Sequence, residues 1–297
     1  MPMHASSADT DADGFTRVVA KGKRGQSSRV PRLPPTPAAT VSDSPVNGDS
    51  MTRDNGAGTY PQSTVLPGKK RSKNRQRQQQ QQRTKSIVET QVESVLEKVE
   101  SLKSAKFRSA LQASLDIVQA FGPEEIVCYG IGSLTTPVSQ WQLALVLLIN
   151  QHLSVDVSAF DPVARPTDCE TLGQFDVSVI AENEEGKRSV TRKTLFFMPH
   201  CEEFLYNNLL AANWSPEQLA RILIVGNRIS RYQDTQSSEE FAKKSPYILH
   251  ALPAAVCTDL PSEKLLGLRN SPYALTDTCV QQFETGGNSI DFTTVSR

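Results

Sequence analysis

Hydrophobic positions are distributed unevenly along the 297 residues of this chain. Residues 1–85 show almost no apolar periodicity and are rich in Ser, Thr, Asp and Gly, with prolines at Pro31, Pro34, Pro35, Pro37, Pro45, Pro61 and Pro67. A segment of this composition cannot bury enough apolar surface to offset the entropy lost on ordering. The sequence therefore predicts disorder over residues 1–85, in a stretch that is first rich in Pro and Ser and then basic and rich in Gln.

The pattern becomes helical over residues 86–121. Apolar residues recur at spacings of three and four positions, at Val88, Val92, Val95, Val99 and Leu102. This repeat is too short for an independent coiled coil. After Ser104 the apolar positions change phase, and Gly122-Pro123 ends the helical pattern. We expect a helical lead-in of one or two helices that cover a face of the following domain.

From residue 122 to residue 297, short apolar runs alternate with helix-forming segments. The predicted strands are 126–129, 155–160, 177–181, 194–198, 222–225, 247–252 and 278–283, and the predicted helices are 138–150, 169–174, 202–213, 216–220 and 238–244. Such alternation predicts a mostly parallel sheet with helices on both faces, that is, a Rossmann-like α/β domain.

Charge is balanced overall but not locally. The chain has 32 basic and 32 acidic residues, yet residues 69–85 include eight basic residues and no acidic one. The densest part contains Lys69, Lys70, Arg71, Lys73, Arg75 and Arg77. One interpretation is a solvated linker, and the alternatives are a nuclear-import signal or a non-specific contact to nucleic acid. Because no aromatic residue is interleaved with these charges, sequence-specific recognition of nucleic acid is not expected.

The cysteines limit the class of protein. Cys128, Cys169, Cys201, Cys257 and Cys279 are odd in number and widely separated, so neither a disulfide framework nor a zinc site is indicated. The chain shows no basic-then-apolar leader and no apolar run of membrane-spanning length. These features predict a soluble protein of a reducing compartment, in the cytoplasm, the nucleus or both, without membrane contact.

The first candidate site follows the strand predicted over residues 126–129. Tyr129 and Ser133 flank a Gly-x-Gly turn in which Gly130 and Gly132 allow a ligand to approach the backbone, and the helix that follows offers N–H groups to an anion. The next predicted strand leads into Asp161, a carboxylate that could accept hydrogen bonds from a ribose. The third glycine of a dinucleotide fingerprint is absent, so the alternative interpretation is a tight turn that only permits close helix packing.

Two further loops follow predicted strands. One contains His200 and Cys201, and the other contains Gly226 and Asn227. Parallel strands end at one edge of a sheet, so we expect these loops to form one pocket with the Gly-x-Gly turn. His200 or Cys201 could act with a partner residue or serve as a weak candidate ligand for haem iron, and the alternative for the histidine is a capping or core role.

Asn208, on the helix after these residues, is a further candidate ligand contact. No catalytic residue, no metal site and no particular cofactor is assigned by the sequence.

Several of these segments together resemble the Sensitivity-to-Red-light-Reduced domain family. The matching segments include Tyr129-Gly-Ile-Gly-Ser-Leu134, Asp161-Pro162, Asn183-Glu-Glu-Gly186, Leu195-Phe-Phe-Met-Pro-His-Cys201, Tyr206-Asn-Asn-Leu-Leu210 and Gly226-Asn227. The resemblance extends from about Phe107 to Phe283. Its most specific part is Met-Pro-His-Cys followed by Tyr-Asn-Asn.

The resemblance implies a regulatory protein rather than an enzyme. Members of the family are associated with circadian clock input and control of gene expression, and animal members with regulation of haem biosynthesis. Protein partners are therefore expected, and a small-molecule ligand stays open. Arg228 departs from the family pattern, and the chain has no Cys-Pro dipeptide of the kind that marks a simple haem-regulatory motif. The alternatives are a nucleotide- or S-adenosylmethionine-dependent transferase and a haem-binding sensor.

Overall fold

The computed structural model describes residues 68–261, 273–286 and 290–293. The disorder predicted for residues 1–67 lies outside these ranges. Residues 68–85, for which the composition also predicts disorder, are helical and form the first half of helix α1 (Gly68–Leu102). The prediction fails there because the side chains described between residues 73 and 83 are all exposed, so no apolar periodicity marks the helix.

Two helices precede the sheet. After α1 the helix breaks at Lys103 and Ser104, and α2 (Ala105–Phe121) follows. α2 ends where Gly122 adopts a left-handed conformation with φ +64° and donates its N–H to the carbonyl of Val118. A glycine in this conformation can bond a free carbonyl at the helix end, and it avoids the steric clash that a Cβ atom would cause there. The helices expected over 86–121, and the stop after them, are present.

The seven strands of the described residues form one sheet. They are β1 (Glu125–Tyr129), β2 (Asp156–Phe160), β3 (Val177–Val179), β4 (Thr194–Met198), β5 (Ile222–Asn227), β6 (Ala255–Asp259) and β7 (Thr278–Phe283), in the order β3-β2-β1-β4-β5-β7-β6. The first five are mutually parallel, whereas β7 runs antiparallel to both β5 and β6. The carboxyl ends of the parallel strands therefore meet at one side of the sheet, which we call the carboxyl edge.

The remaining helices of the described chain connect or flank the strands. They are α3 (Pro137–Leu153), α4 (Pro166–Gly173), α5 (Glu203–Ala212), α6 (Pro216–Leu219), α7 (Arg231–Asp234), α8 (Ser238–Lys244) and α9 (Pro246–Ala251). α3 begins where the Thr136 side chain accepts a hydrogen bond from the Ser139 N–H, with Pro137 in the first helical turn.

Helices cover both faces of the sheet. Leu195 and Phe197 of β4 lie in the core beneath α1, α2 and α3, whereas Phe196 and Met198 lie in the core beneath α5, α8 and α9. All four side chains are fully buried, as expected of a central strand in a parallel sheet. The predicted α/β fold, with a mostly parallel sheet between two helical layers, is confirmed. Within the described ranges, no helix combines the length and apolar character that a bilayer span requires.

Three elements differ from the prediction, and the first is α7, a short helix that the apolar pattern does not mark. Residues 247–252 are not a strand: residues 247–251 form most of α9, and Leu252 begins a short 3-10 helix (Leu252–Ala254). Pro246 starts α9, and the Asn207 side-chain oxygen Oδ1 accepts the N–H groups of Tyr247 and Ile248. β6, which the pattern does not predict, is an edge strand with weak apolar alternation, and its Val256 is 40% exposed.

Candidate functional site

The loops singled out in the sequence lie together at the carboxyl edge. β1, β2, β4 and β5 are neighbouring parallel strands, so the segments that follow Tyr129, Phe160 and Met198 reach the same side of the sheet as Asn227. Hydrogen bonds join these segments directly: Gly132 N–H donates to Asp161 Oδ2 at 2.6 Å, and His200 N–H donates to Asn227 Oδ1 at 2.8 Å. A bond from the Cys201 thiol to the Tyr129 carbonyl links the two pairs, so the three loops lie at one edge. The single pocket expected from them is not formed beside the Gly-x-Gly turn, because neither His200 nor Asn227 lines the cavity there.

The Gly-x-Gly turn is shaped by close packing. Gly130 and Gly132 have φ values of +74° and +81°, a region that favours glycine. A Cβ at Gly130 would lie 2.8 Å from the sulfur of Cys201, and one at Gly132 would lie 2.7 Å from the Ser139 hydroxyl. The backbone conformation and the tight contacts thus account for both glycines without a ligand.

Asp161 is engaged by backbone groups. Its Oδ2 accepts the Gly132 N–H, and its Oδ1 accepts the Val163 N–H at 2.8 Å. The carboxylate therefore ties the loop after β2 to the Gly-x-Gly turn. A carboxylate can accept about four hydrogen bonds. Asp161 is half-buried, so its side chain could accept further hydrogen bonds, for example from a ligand.

Asn227 organises the loop after β4. Its Oδ1 accepts from His200, and its Nδ2 donates to the Tyr232 hydroxyl at 3.0 Å and to the carbonyl of Cys201 at 3.4 Å. His200 has a φ of +56°, so the asparagine holds a backbone turn that a non-glycine residue adopts only with support.

Two tyrosines complete this network. Tyr206 donates its hydroxyl proton to the carbonyl of Met198 and accepts the Asn227 N–H at 2.8 Å, while Tyr232 donates to the carbonyl of Cys201 at 2.7 Å. Burial raises the pKa of both hydroxyls above the ordinary value, so both remain donors. A Cβ at Gly226 would lie 2.5 Å from the Tyr206 oxygen, so this glycine is also required by packing.

Cys201 is a buried thiol. Its Sγ donates to the carbonyl of Tyr129 at 3.3 Å, and burial, with smaller effects of the Asp161 and Glu202 charges, raises its pKa to about 12. Because the thiolate is the form that attacks electrophiles and binds metals, Cys201 does not fit the role of nucleophile or haem ligand. His200 is exposed, and its Nε2 lies 3.3 Å from the carbonyl of Ala274.

Tyr129 and Asn208 contact a different loop. The Tyr129 hydroxyl bonds to Glu184, which also forms an ion pair with Arg188 at 2.8 Å. Burial raises the pKa of Tyr129, and the adjacent carboxylate raises it further. Asn208 Nδ2 donates to the carbonyl of Glu185 at 2.8 Å. The structure therefore places Asn208 against the loop of residues 183–186 rather than among the three converging loops.

Asp168 is a site residue that the sequence analysis does not single out. It is 1% exposed and accepts hydrogen bonds from Gln91 Nε2, Ser133 Oγ and the Leu134 and Arg165 N–H groups. Asp168 stands three residues after Arg165, the N-cap of α4, and accepts the N–H of that residue as in a capping box. An acidic residue at this spacing from a helix start is the sequence feature that could have identified it. Asp168 therefore links α1, the segment after the Gly-x-Gly turn and α4.

The cavity beside the turn is small. It has a volume of about 110 Å³ and is lined by Ile131, Gly132, Ala159, Asp161, Leu172 and Ile180, among others. Pockets for drug-sized ligands and cofactors usually measure about 300–1,000 Å³, so an adenosyl cofactor does not fit in this conformation. Within the part of the chain that the structure describes, no cluster of three or more His, Cys, Asp or Glu side chains could hold a metal ion.

Comparison with known proteins gives consistent matches. A family model described as the SRR1 domain matches residues 74–284. The SRR1-like protein of Mus musculus is 37% identical over 164 residues, which cover 52% of this chain and 66% of the mouse protein. The Arabidopsis thaliana protein named SENSITIVITY TO RED LIGHT REDUCED 1 is 38% identical over 117 residues, which cover 38% of this chain and 42% of the plant protein.

The matched part thus spans less than two thirds of each of these relatives. The SRR1-like protein of Drosophila melanogaster is 30% identical over 119 residues, or 39% of this chain and 43% of that protein.

Two solved structures are distantly similar. One is titled CmcI-N160 apo-structure, with 12% identity and a TM-score of 0.34 over 62% of this chain and 73% of that one. The other, the plantazolicin methyltransferase BpumL in complex with SAH, has 13% identity and a TM-score of 0.26 over 67% of this chain and 96% of that one. At these scores neither likeness supports an inference about function.

The SRR1 match includes most of α1, the complete sheet and every loop of the carboxyl edge. This chain belongs to the SRR1 domain family.

Proposed function

We propose that this chain is a regulatory protein that acts by binding a protein partner at its carboxyl edge. The Arabidopsis thaliana relative carries a name that refers to reduced sensitivity to red light. By analogy, the proposed role is an input to the circadian clock and to the control of gene expression. The association of animal family members with haem biosynthesis extends the proposal to that pathway.

One observation carries the proposal: exposed apolar side chains lie near an edge whose loops are tied together by hydrogen bonds. Val163, Phe204 and Tyr273 are 62%, 47% and 53% exposed. They follow β2, begin α5 and precede β7, whose first residue pairs with Asn227, so all three lie near the carboxyl edge. Apolar side chains presented by a rigid frame are typical of a protein-binding surface.

The test is depletion of the chain in its host, followed by rescue with variants and measurement of a rhythmic reporter transcript. We expect the wild type to restore period and amplitude and the double variant V163A/F204A to fail. V256A is the matched control, because it removes an exposed apolar side chain from β6 instead of the carboxyl edge. An unchanged rhythm after depletion contradicts the regulatory role, and full rescue by the double variant contradicts partner binding at this edge. The proposed role in haem biosynthesis is tested by measuring total haem in the same cells, which should change on depletion and return with the wild type.

A nucleotide- or S-adenosylmethionine-dependent transferase is the second candidate. The left-handed glycines after β1 and the acidic Asp161 after β2 are the observation in its favour. The 110 Å³ cavity requires the loops to open before a cofactor could enter. Thermal melting with S-adenosylmethionine, S-adenosylhomocysteine and ATP tests it: a rise that D161N abolishes supports the candidate, and unchanged melting rejects it.

A haem sensor would have to use His200, since Cys201 is protonated and buried. Haem titration should then give a Soret band that changes in H200A and not in C201A. A band that is identical in the wild type and both variants rejects haem ligation by these residues.

We also propose nuclear import through the basic segment that ends at Arg77. Lys73, Arg75 and Arg77 are exposed on α1 and so are accessible to an import receptor. Replacing Lys69, Lys70, Arg71, Lys73, Arg75 and Arg77 with glutamine should shift a fluorescent fusion from nucleus to cytoplasm. An unaltered distribution would leave the solvated linker as the interpretation.

A further inference from the structure

The first half of α1 buries none of its described side chains from Lys73 to Arg83, although Arg77 and Lys85 line one space with Glu170 and Gln174 at the end of α4. All side chains from Lys73 to Arg83 are exposed. Residues 73–85 include five basic residues and no acidic one, and Lys73 and Arg77 stand one turn apart. Like charges at this spacing destabilise a helix, and a short exposed helix is marginal in water. An acidic surface lying against this half would stabilise it.

The second half of α1 offers such a surface. Val95 and Val99 pack into the core and hold this half on the domain. Beside them, Glu89, Glu93, Glu97 and Glu100 surround Val92 and Leu96 in a groove with a volume of about 790 Å³. Leu96 is 49% exposed.

This groove continues along the helix. Val88, Glu89 and Gln174 also line an adjoining space of about 720 Å³ that reaches Arg77. Both spaces lie between α1 and the end of α4, and together we call them the α1 groove.

We propose that α1 pairs antiparallel with α1 of a second copy of this chain. Each basic half then lies in the acidic part of the other copy's α1 groove. With the two-fold axis near Ser86, Lys73 faces Glu100 of the second copy, and Arg77 faces Leu96 beside Glu97. The aliphatic stems of the basic and glutamine side chains cover the apolar floor of the groove.

Charge complementarity favours the antiparallel pair over a parallel pair and over a bound nucleic acid. A parallel pairing would set glutamates against glutamates and basic residues against basic residues. A nucleic acid would neutralise the basic half but leave the acidic part of the groove open. The antiparallel pair sets opposite charges against each other along both halves, with Glu100 shared between Lys103 of its own chain and Lys73 of the second copy, and two-fold symmetry repeats each contact. It does not depend on the partner proposed for the carboxyl edge.

A charge-swap experiment on the full chain tests the pairing. The all-basic variant is E93K/E97K/E100K, and the all-acidic variant is K73E/R75E/R77E. Light scattering and sedimentation equilibrium should show a dimer for the wild type that weakens as salt is raised from about 50 to about 500 mM. Each variant alone should dissociate roughly tenfold or more easily, and their equimolar mixture should restore the dimer.

Controls keep the outcome interpretable. E239K/K243E makes the same kinds of charge change on the distant helix α8 and should leave the dimer intact, and far-UV circular dichroism verifies that each variant folds. A wild type that stays monomeric at low salt overturns the proposal, as does a mixture that fails to associate. Binding of a 20-nucleotide RNA by a monomeric wild type would assign the basic half to nucleic acid instead.

Discussion

Gly226 lies where a side chain has no room. A Cβ there would approach the Tyr206 oxygen to 2.5 Å and the carbonyl oxygen of Met198 to 2.9 Å, and both neighbours are held in the buried network. We expect G226A to lower the free energy of unfolding in urea by about 1–3 kcal/mol, the usual cost of overpacking.

G173A is the matched control for this change. A Cβ at Gly173 meets nothing within 4 Å, and the residue lies at the end of a helix. Its stability should stay the same or rise by a few tenths of a kcal/mol. Equal effects of the two substitutions would contradict the packing role of Gly226.

Thiol reactivity is a second prediction for single residues. Cys257 is half-buried, and its pKa lies below the ordinary value because Cys279 donates a hydrogen bond to its thiolate and Arg228 is nearby. We expect N-ethylmaleimide at pH 7 to label Cys257 much faster than Cys201, whose pKa is raised to about 12 by burial. Mass spectrometry of the labelled peptides measures both rates, and comparable rates would contradict this assignment.

The same thiol gives a dependence of stability on pH. The folded state raises the pKa of Cys201, so the protonated form is favoured by folding. Its contribution is fully present below the unfolded pKa of about 8.5 and is lost as pH rises towards about 12. In urea titrations between these limits, C201A should therefore lose less stability with rising pH than the wild type. A parallel decline of the two proteins would show that Cys201 does not carry the dependence.

At the scale of elements, the two halves of α1 differ in what holds them. The second half buries Val95, Val99 and Leu102 and bonds through Gln91 to Asp168 and Thr171. The first half, from Lys73 to Arg83, buries no side chain.

Truncation separates these halves. At protein concentrations low enough to keep the chain monomeric, a chain that starts at Thr84 should match one that starts at Lys73 to within about 0.5 kcal/mol. A chain that starts at Lys103 should lose several kcal/mol, about 2 for each buried aliphatic side chain removed. Thermal and urea unfolding measure both differences, and a large loss on removing residues 73–83 alone from the monomer would refute the distinction.

The elements also show what an apolar pattern can reveal. β4 is an unbroken apolar run that ends at Met198, and its bounds are as predicted. α9 is misassigned because its start depends on Asn207, a residue forty positions earlier in the chain that accepts the first N–H groups of the helix. β6 is missed because an edge strand needs little apolar alternation. Local pattern therefore identifies the central strands and fails where distant contacts decide.

For the molecule as a whole, the sheet should be most stable at its centre. Leu195, Phe196 and Ile224 are fully buried in β4 and β5, whereas β6 forms an edge and is partly exposed. Native-state hydrogen exchange should therefore give the slowest amides in β4 and β5, with opening free energies near the global value, and faster exchange in β6. Uniform protection across the sheet would contradict this gradient.

In the candidate site, too, the sequence predicts the position of the loops but not the contacts between them. Topology alone predicts that Gly132, His200 and Asn227 lie at the same edge of the sheet, because parallel strands end at one edge. The sequence could not show that the Asn227 side chain and the Cys201 thiol are bonded to other loops, since those bonds depend on the assembled backbone. It likewise gave no reason to expect three exposed apolar side chains around them.

The position of β7 has a consequence for synthesis of the chain. β7 is the neighbour of β5 in the sheet, yet it follows β5 by about fifty residues in the chain. While the ribosome makes those residues, β5 presents an open backbone edge in an otherwise foldable nascent chain. We expect ribosome stalling or premature termination before Thr278 to yield a product that aggregates or engages chaperones, even though every residue of β1 to β5 is already present.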